Sequence, residues 1–405
     1  MSDMTKMPDW ISYMKLRGSW TRVGNGDLPP GILLQTYSFG QGGTGGFIQR
    51  DATLPIPDAK PEIQTSIEAG IDWRLFHNRL SFDLTFYKTN SVNQLLSLNL
   101  AAASGFDRQF INSGDIQNSG VELTMNIAPI RQSNGLNWDM AVNFAKNNSK
   151  VVSLHPEIKQ AFLAVGYGRT AGPIVREGER YGELYGEGWK KDAQGRRIVD
   201  ANGKPVGSTA NGGSQVSVGN FNPDFTLGFN NTLSYGNLSL SFLLDGRFGG
   251  VMVSGSEANF AFDGTGAYTT AFRDGGLTLD AVTATGEKNT KAINAETFWT
   301  TVSGGRYSFG EFFTYDATNV RIRELILGYN FKLNSNTIKN VRLSLVGRNL
   351  AFLYRGKATL DIAGMPDRRM NFDPDINLGA GNFQGVEYGS LPSTRTIGLN
   401  LQLGF

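Results

Sequence analysis

The chain ends in Thr394-Arg395-Thr396-Ile397-Gly398-Leu399-Asn400-Leu401-Gln402-Leu403-Gly404-Phe405. Ile397, Leu399, Leu401, Leu403 and Phe405 share one parity; Thr394, Thr396, Gly398, Asn400, Gln402 and Gly404 share the other. A period of two is a β-strand with one apolar and one polar face. The stretch is long enough to cross an apolar slab, which takes about nine to eleven tilted strand residues. A soluble edge strand could carry the same alternation, but a naked apolar row at a sheet edge invites association. A membrane barrel requires it, because one face meets lipid and the other lines a polar interior.

Bulk properties narrow the choice. The 405 residues include 51 Gly and no Cys, with 38 Lys and Arg against 36 Asp and Glu. That length would serve two or three ordinary domains, yet mean hydropathy is negative. No apolar run reaches the length of a membrane helix, which excludes a helical bundle and leaves a barrel untouched. Without Cys there is no disulfide and no thiolate chemistry. A net charge near zero gives no footprint for nucleic acid.

Working back from the terminus, the same alternation recurs. It predicts strands over 14–24, 62–76, 79–90, 116–129, 136–148, 221–235, 238–249, 314–333, 341–353 and 394–405, ten in all. The connections alternate in length. Short turns fall at His77-Asn78, Arg131–Gly135, Gly236-Asn237 and Asn334–Asn340, and long loops at 25–61, 91–117, 149–221, 250–313 and 354–391. A sandwich has no reason to segregate its loops in this way, whereas a membrane barrel has short periplasmic turns and long outer loops. If the terminal strand runs down to the periplasm, Trp73, Trp138, Tyr235, Tyr329 and Phe405 all fall near that end on the apolar parity, as an interfacial girdle would. The competing reading makes them core residues of a soluble sandwich.

Little in the chain suggests chemistry. The glycine run Gln41-Gly42-Gly43-Thr44-Gly45-Gly46 lacks the Lys-Ser/Thr and the strand-to-helix setting of a phosphate cradle, so it reads as a loop. Asp192-Ala193-Gln194-Gly195 and Asp200-Ala201-Asn202-Gly203 read as turns; the second lacks the further acidic positions of a calcium loop. His77 sits in a turn and His155 in a loop, and no metal site is expected from two histidines. No catalytic constellation or cofactor is implied, so no enzyme is expected. Ala295–Thr300 suggests one short helix. The loop aromatics Tyr185, Trp189, Tyr268 and Trp299 could stack on sugar rings of a bound ligand, or pack small cores of their own loops. On the polar parity, Asp83, Glu122, Asp139, Asp245 and Arg342 either tune a channel or form a solvated wall.

Six stretches then point to one family. They are Trp10–Trp20 running into Val23-Gly24-Asn25; Asn112–Leu123; Asp316–Arg323 with Leu327-Gly328-Tyr329; Val341-Arg342-Leu343 with Gly347-Arg348-Asn349-Leu350; Phe372-Asp373-Pro374-Asp375; and Leu391–Thr396. In that order they resemble the C-terminal part of SusC/RagA-type TonB-linked outer-membrane transporters of Bacteroidota, from about Trp10 to Phe405. The terminal Phe also resembles the signal read by the barrel-insertion machinery. The resemblance implies an all-β membrane barrel, with residues 1–405 as the C-terminal portion of a wall of about 22 strands. It implies residence in the outer membrane among its lipids, with loops extracellular and the turns and C-terminus periplasmic. It implies TonB-driven uptake of oligosaccharides or peptides with a SusD-like surface lipoprotein as partner. TonB would be reached only through the plug that precedes the barrel in that family. Met1–Pro8 has no signal-peptide pattern, and no plug is present. The expectation is therefore a fragment that does not transport alone, with unpaired edges at the Met14 and Thr394 strands. Two other classes remain open: a standalone small outer-membrane barrel with an adhesive or structural role, and a soluble β-rich binding protein.

Overall fold

The computed structural model describes residues 8–28, 31–41, 45–156, 158–163, 170–304, 308–333, 337–379 and 384–405. Residues 1–7, the centre of the glycine run at 42–44, and residues 334–336 of the last short turn lie outside the described residues. Ten long strands form one sheet: β1 (Ile11–Asn25), β2 (Glu62–Leu75), β3 (Leu80–Val92), β4 (Asp115–Ile130), β5 (Leu136–Ser153), β6 (Phe225–Tyr235), β7 (Leu238–Phe248), β8 (Asn319–Lys332), β9 (Asn340–Arg355) and β10 (Thr396–Gly404). Each pairs antiparallel with its sequence neighbours, so the spatial order is the chain order. The sheet is open: β1 pairs only with β2, and β10 only with β9.

The apolar parity joins across strands into continuous rows. One row runs Leu136, Tyr235, Leu238, Tyr329, Leu343, Leu401. The next runs Trp138, Leu233, Leu240, Leu327, Leu345, Leu399. Many of these side chains are uncovered: Tyr235 is 66% exposed, Leu345 48% and Leu399 74%. A water-soluble sheet does not leave so broad an apolar face bare. A further row runs Met14, Trp73, Phe82, Met125, Val142, Phe229, Leu244. It starts beside a short turn and finishes near the other end of β7. That drift is the stagger of strands tilted in a barrel wall.

Turns are built by residues that tolerate positive φ. Phe76, His77 and Asn78 take φ of 53, 55 and 62° between β2 and β3. Gly236, at φ 58°, occupies the first position of a two-residue hairpin, where a II′ turn needs it.

On the polar face, glycines open gaps that long side chains cross. Arg17 on β1 passes over Gly70 on β2 and donates to Asp83 (2.7 Å from Nη1) and Thr85 on β3. Tyr87 on β3 passes over Gly120 on β4, and its hydroxyl donates to Asn147 Oδ1 on β5 at 3.1 Å. Arg342 on β9 passes Gly328 on β8 and donates to Ser239 Oγ on β7 at 3.1 Å. A Cβ at Gly120 would stand 2.5 Å from the Tyr87 hydroxyl, at Gly70 2.7 Å from Arg17 Nε, and at Gly328 2.8 Å from Ser239 Oγ. Each glycine thus ties three strands together where a side chain would separate them.

The hydrophobic core lies outside the sheet. The long loops gather Trp189, Phe298, Trp299, Phe312, Phe313 and Ile362 into one cluster. Two helices belong to this body: α1 (Gly255–Phe262), capped by Ser254 Oγ accepting from Glu257 N at 3.0 Å, and α2 (Ala295–Ser303), capped by Asn294 Oδ1 accepting from Thr297 N at 2.8 Å. The sequence pattern anticipated only the second. Nor is 314–333 one strand. Thr314–Asp316 pairs with Val251–Ser254 in the loop body, and β8 begins at Asn319. The break is an Asx turn, with Asp316 Oδ1 accepting from Thr318 N at 2.9 Å.

The glycine gaps are testable. Gly120→Val expels the Tyr87 ring and presses on the Lys146 carbonyl, and should lower sheet stability by about 1–3 kcal/mol. Tyr87→Phe, which loses one hydrogen bond, should cost about 1 kcal/mol. Urea unfolding of the membrane-extracted protein measures both, and equal losses would refute the gap.

Candidate functional site: the loop body and its anchor

A cluster of charged residues fastens the loop body to the polar wall. Arg321 and Arg323 project from the start of β8, where a bulge on the β7 pairing brings both over Asp245. Asp373 and Asp375 descend from the loop between β9 and β10. Arg321 Nη1 donates to both Asp373 oxygens at 3.0 and 3.1 Å, its Nε to Asp245 Oδ2 at 3.3 Å, and its Nη2 to Asp375. Arg323 Nη2 bridges Asp245 Oδ2 at 2.6 Å and Asp375 Oδ2 at 2.9 Å. The Arg321 side chain is only 3% exposed. Two guanidiniums and three carboxylates leave one excess negative charge, so no arginine in the cluster lacks a partner. Burial, the strongest influence on Asp375, would raise its pKa; the hydrogen bonds and charges of Arg323 and Arg321 outweigh it and hold the carboxyl below its ordinary value.

A second clamp is Arg368, buried and donating to the Phe312 carbonyl. Its guanidinium lies 5.7–5.8 Å from the rings of Tyr268, Trp299, Phe313 and Tyr315. It draws the last loop onto the aromatic core, with modest cation–π attraction from each ring.

The four loop aromatics proposed as ligand contacts are mostly enclosed. Trp189 is 1% exposed, Trp299 2% and Tyr185 5%; Tyr268 is half-buried. Trp189 Nε1 donates to the Ile198 carbonyl at 2.8 Å, and its ring packs on Phe312. Trp299 packs edge-on against Tyr268 and Phe298. Tyr268 donates to the Glu257 carbonyl at 2.8 Å. Tyr185 donates to Glu179 at 2.9 Å beneath Arg176; burial first, then that bond, pushes its pKa up to about 12. Their contacts are those of loop packing, because a body this size needs its own core.

The proposed girdle residues sit at the short-turn end. Tyr235, Tyr329 and Phe405 are 66, 43 and 73% exposed. Trp73 packs against Phe82 and Trp10. Trp138 donates to Asn231 Oδ1 at 3.1 Å and so covers a polar side chain on the apolar face. Of the polar-wall residues, Asp83 meets Arg17, Asp139 meets Arg131 at 3.3 Å, Asp245 joins the anchor and Arg342 meets Ser239. Both suggested turns form: Asp192 Oδ1 accepts from Gln194 N and Arg196 N, and Asp200 Oδ1 from Asn202 N and Lys204 N. Among the described residues no group of His, Asp and Glu is arranged to hold a metal.

A tilted antiparallel sheet with a bare apolar face, short turns at one end and a packed loop body at the other is the wall of an outer-membrane barrel. The chain belongs to the TonB dependent receptor-like, beta-barrel family, whose match spans residues 7–350, a family of receptors and transporters rather than enzymes. TonB-dependent receptor P3 of Formosa agariphila is 28% identical over 421 residues, covering 98% of this chain and 40% of its own length. TonB-dependent receptor P26 of the same organism is 27% identical, covering 97% and 40%. The chain thus spans about 40% of these relatives. The RagAB peptide transporter superposes with a TM-score of 0.71 at 21% identity, over 100% of this chain and 42% of that one. The RagAB peptide importer in its open-open state gives 0.71 at 20% identity, over 100% and 41%. The SusC/RagA-type resemblance read from the six stretches therefore stands, and the fold is that of RagA-like barrel strands.

Arg321→Ala leaves the buried Asp373 carboxylate without its partner, while Arg323 still holds Asp245 and Asp375, and should destabilise the loop attachment by about 3–5 kcal/mol. Protease cutting within 357–395 should appear in this variant while the sheet stays intact. Acid should act on the same joint. A depressed Asp375 pKa contributes stability that is complete above the ordinary value of 3.8 and lost as pH falls through the lower folded value. Pepsin should therefore cut this loop only below about pH 4; cutting already at pH 6 would show that the anchor does not hold it.

Proposed function

We propose that the chain is the C-terminal barrel wall of a TonB-dependent transporter that imports oligosaccharides or peptides across the outer membrane with a SusD-like surface lipoprotein. The observation that carries this reading is the anchored loop body: a rigid cap packed over the polar face of a family barrel, where a large solute would be received. The wall does no chemistry. Its polar face, with its crossing arginines and tyrosine, lines the route. The loops face outward, and the turns and Phe405 face the periplasm. Trp73, Trp138, Tyr235, Tyr329 and Phe405 form the interfacial girdle at that side. Energy comes from TonB acting on a plug that the relatives' greater length leaves room for. A hairpin in the first long loop, Tyr37–Gly40 with Phe47–Arg50, supports a protein lid. It presents Phe39 and Ile48, paired across the strands and 84 and 73% exposed, a surface that costs free energy unless covered. The standalone adhesive barrel gains no support, since β1 and β10 leave open edges instead of closing on each other.

The test is uptake of labelled oligosaccharide and peptide pools by cells. Removing the whole receptor should abolish accumulation of one pool, as should a protonophore, and residues 1–405 alone should restore none of it. Undiminished uptake of both pools without the receptor would end the transport reading.

A further inference from the structure

A cavity of about 660 Å³ lies between the upper end of β9, helix α1 and the segment leading into β10. Its size is ordinary for a small-ligand site, about 300–1,000 Å³. Three of the six stretches that carry the family resemblance, far apart in sequence, meet in its wall: those containing Asn349, Phe372 and Arg395. Its backbone is unusual at one point. On β9, Asn349 and Leu350 face the single residue Arg323 on β8, a bulge, and Asn349 takes φ 49°. The β9–β10 ladder stops at the preceding residue, Arg348. A non-glycine residue in this conformation costs free energy and persists where the surroundings hold it, most often at functional sites. The bulge leaves Asn349 Oδ1 buried with no hydrogen-bond partner, while Nδ2 makes only a long 3.4 Å contact with the Thr394 carbonyl. A buried acceptor without a donor is costly unless something brings one.

Charge is divided around this amide. On the α1 side stand two buried carboxylates. Glu387 accepts from Ser254 and from Ser256 Oγ at 2.9 Å, which fixes the orientation of its carboxyl. Glu257 has a 3.4 Å contact from Asn371; burial pushes its pKa up, against the opposing pull of Tyr268, Asn371 and Arg368. On the rim stand Arg355, spending one donor on the Met370 carbonyl at 3.3 Å, and Arg395. Between them lie the rings of Phe260 and Phe352.

We propose that this cavity binds the end of a short peptide with a free amino terminus. Asn349 pairs with a main-chain amide, Glu257 and Glu387 receive the ammonium, and Arg355 and Arg395 receive carbonyl or carboxylate oxygen. The phenyl rings take apolar side chains without selecting among them. The reading rests on the transport function above and narrows its substrate to peptides. A neutral oligosaccharide offers no ammonium to Glu387 and no carboxylate to Arg355 and Arg395, whereas a zwitterionic chain matches each side.

The whole receptor, extracted in detergent, is titrated with tetraalanine, with its N-acetylated and C-amidated form, and with maltotetraose. Tetraalanine should bind. Blocking the termini should weaken binding about a hundredfold, and Asn349→Ala or Arg395→Gln about tenfold each. Arg395 is exposed, so its variant does not threaten folding. Three outcomes overturn the site: no binding of tetraalanine at millimolar concentration, equal affinity for blocked and free peptide, or unchanged affinity in both variants. If the variants bind normally while loss of the receptor still abolishes uptake, the site falls and import stands. If binding depends on Asn349 but cells need no receptor for uptake, import falls and the site stands.

Discussion

Backbone hydrogen bonding in an apolar medium is the constraint on which the structure depends. Inside a bilayer an unpaired N–H or C=O has no water to turn to, so strands must lie in continuous antiparallel register. The eight inner strands meet that condition on both sides, and the rows from Leu136 to Leu401 and from Trp138 to Leu399 follow from it. Once register is fixed, parity does the rest. A slip of one residue would turn every leucine inward and every serine outward. The sheet therefore needs no hydrophobic core of its own, because lipid takes that role.

This division explains why the buried side chains are elsewhere. β5 runs for 18 residues, more than the roughly nine to eleven tilted residues that cross the apolar slab, while β6 and β7 run for 11 each. The longer strands carry their register beyond it and deliver the chain to water. There the long loops must bury apolar surface in the ordinary way, and they do so around Phe298, Phe312 and Phe313, each fully buried. Two kinds of stability are thus joined in one chain, lipid-facing alternation below and a packed aromatic core above. At the end of β5, Val151 packs with Leu154, Ala161 and Val175, but where the facing wall is polar the joint cannot be hydrophobic. It is made instead from ion pairs whose carboxylates come from both bodies, Asp245 from the wall and Asp373 and Asp375 from the loop.

The sheet was largely legible in the sequence because period two is a local signal. The ten strands, the short turns at 77–78, 131–135 and 236–237, and the parity of Trp73, Tyr235 and Tyr329 could all be read one segment at a time. The loops were not, because their order rests on contacts between residues tens to hundreds apart. Trp189 and Trp299 look the same in sequence whether they bind a sugar or fill a core; only their burial separates the two. The anchor was half visible. Arg321-Ile322-Arg323 and Asp373-Pro374-Asp375 each place like charges two apart, the first on a strand and the second in a turn, and both stretches were singled out. That they meet is a consequence of the loop's path, which no periodicity encodes. The reading of 314–333 as one strand failed for a different reason. Thr314, Tyr315 and Asp316 do form a strand, but the Asp316–Thr318 turn sends it into another sheet.

The polar wall solves a further problem. A wide barrel has no interior to pack, so lumenal side chains gain little from burial, and neighbouring strands are joined mainly by their ladders. Letting Arg17, Tyr87 and Arg342 lie across a glycine spreads one polar contact over three strands. Each glycine sacrifices β-propensity of a few tenths to 1 kcal/mol and recovers it through a charge-assisted or phenolic hydrogen bond laid flat on the wall. Because the side chains lie across the glycines, they add little bulk to the polar face. The same geometry that stiffens the wall keeps it open, and bulk is concentrated where Arg321 and Arg323 hold the loop body.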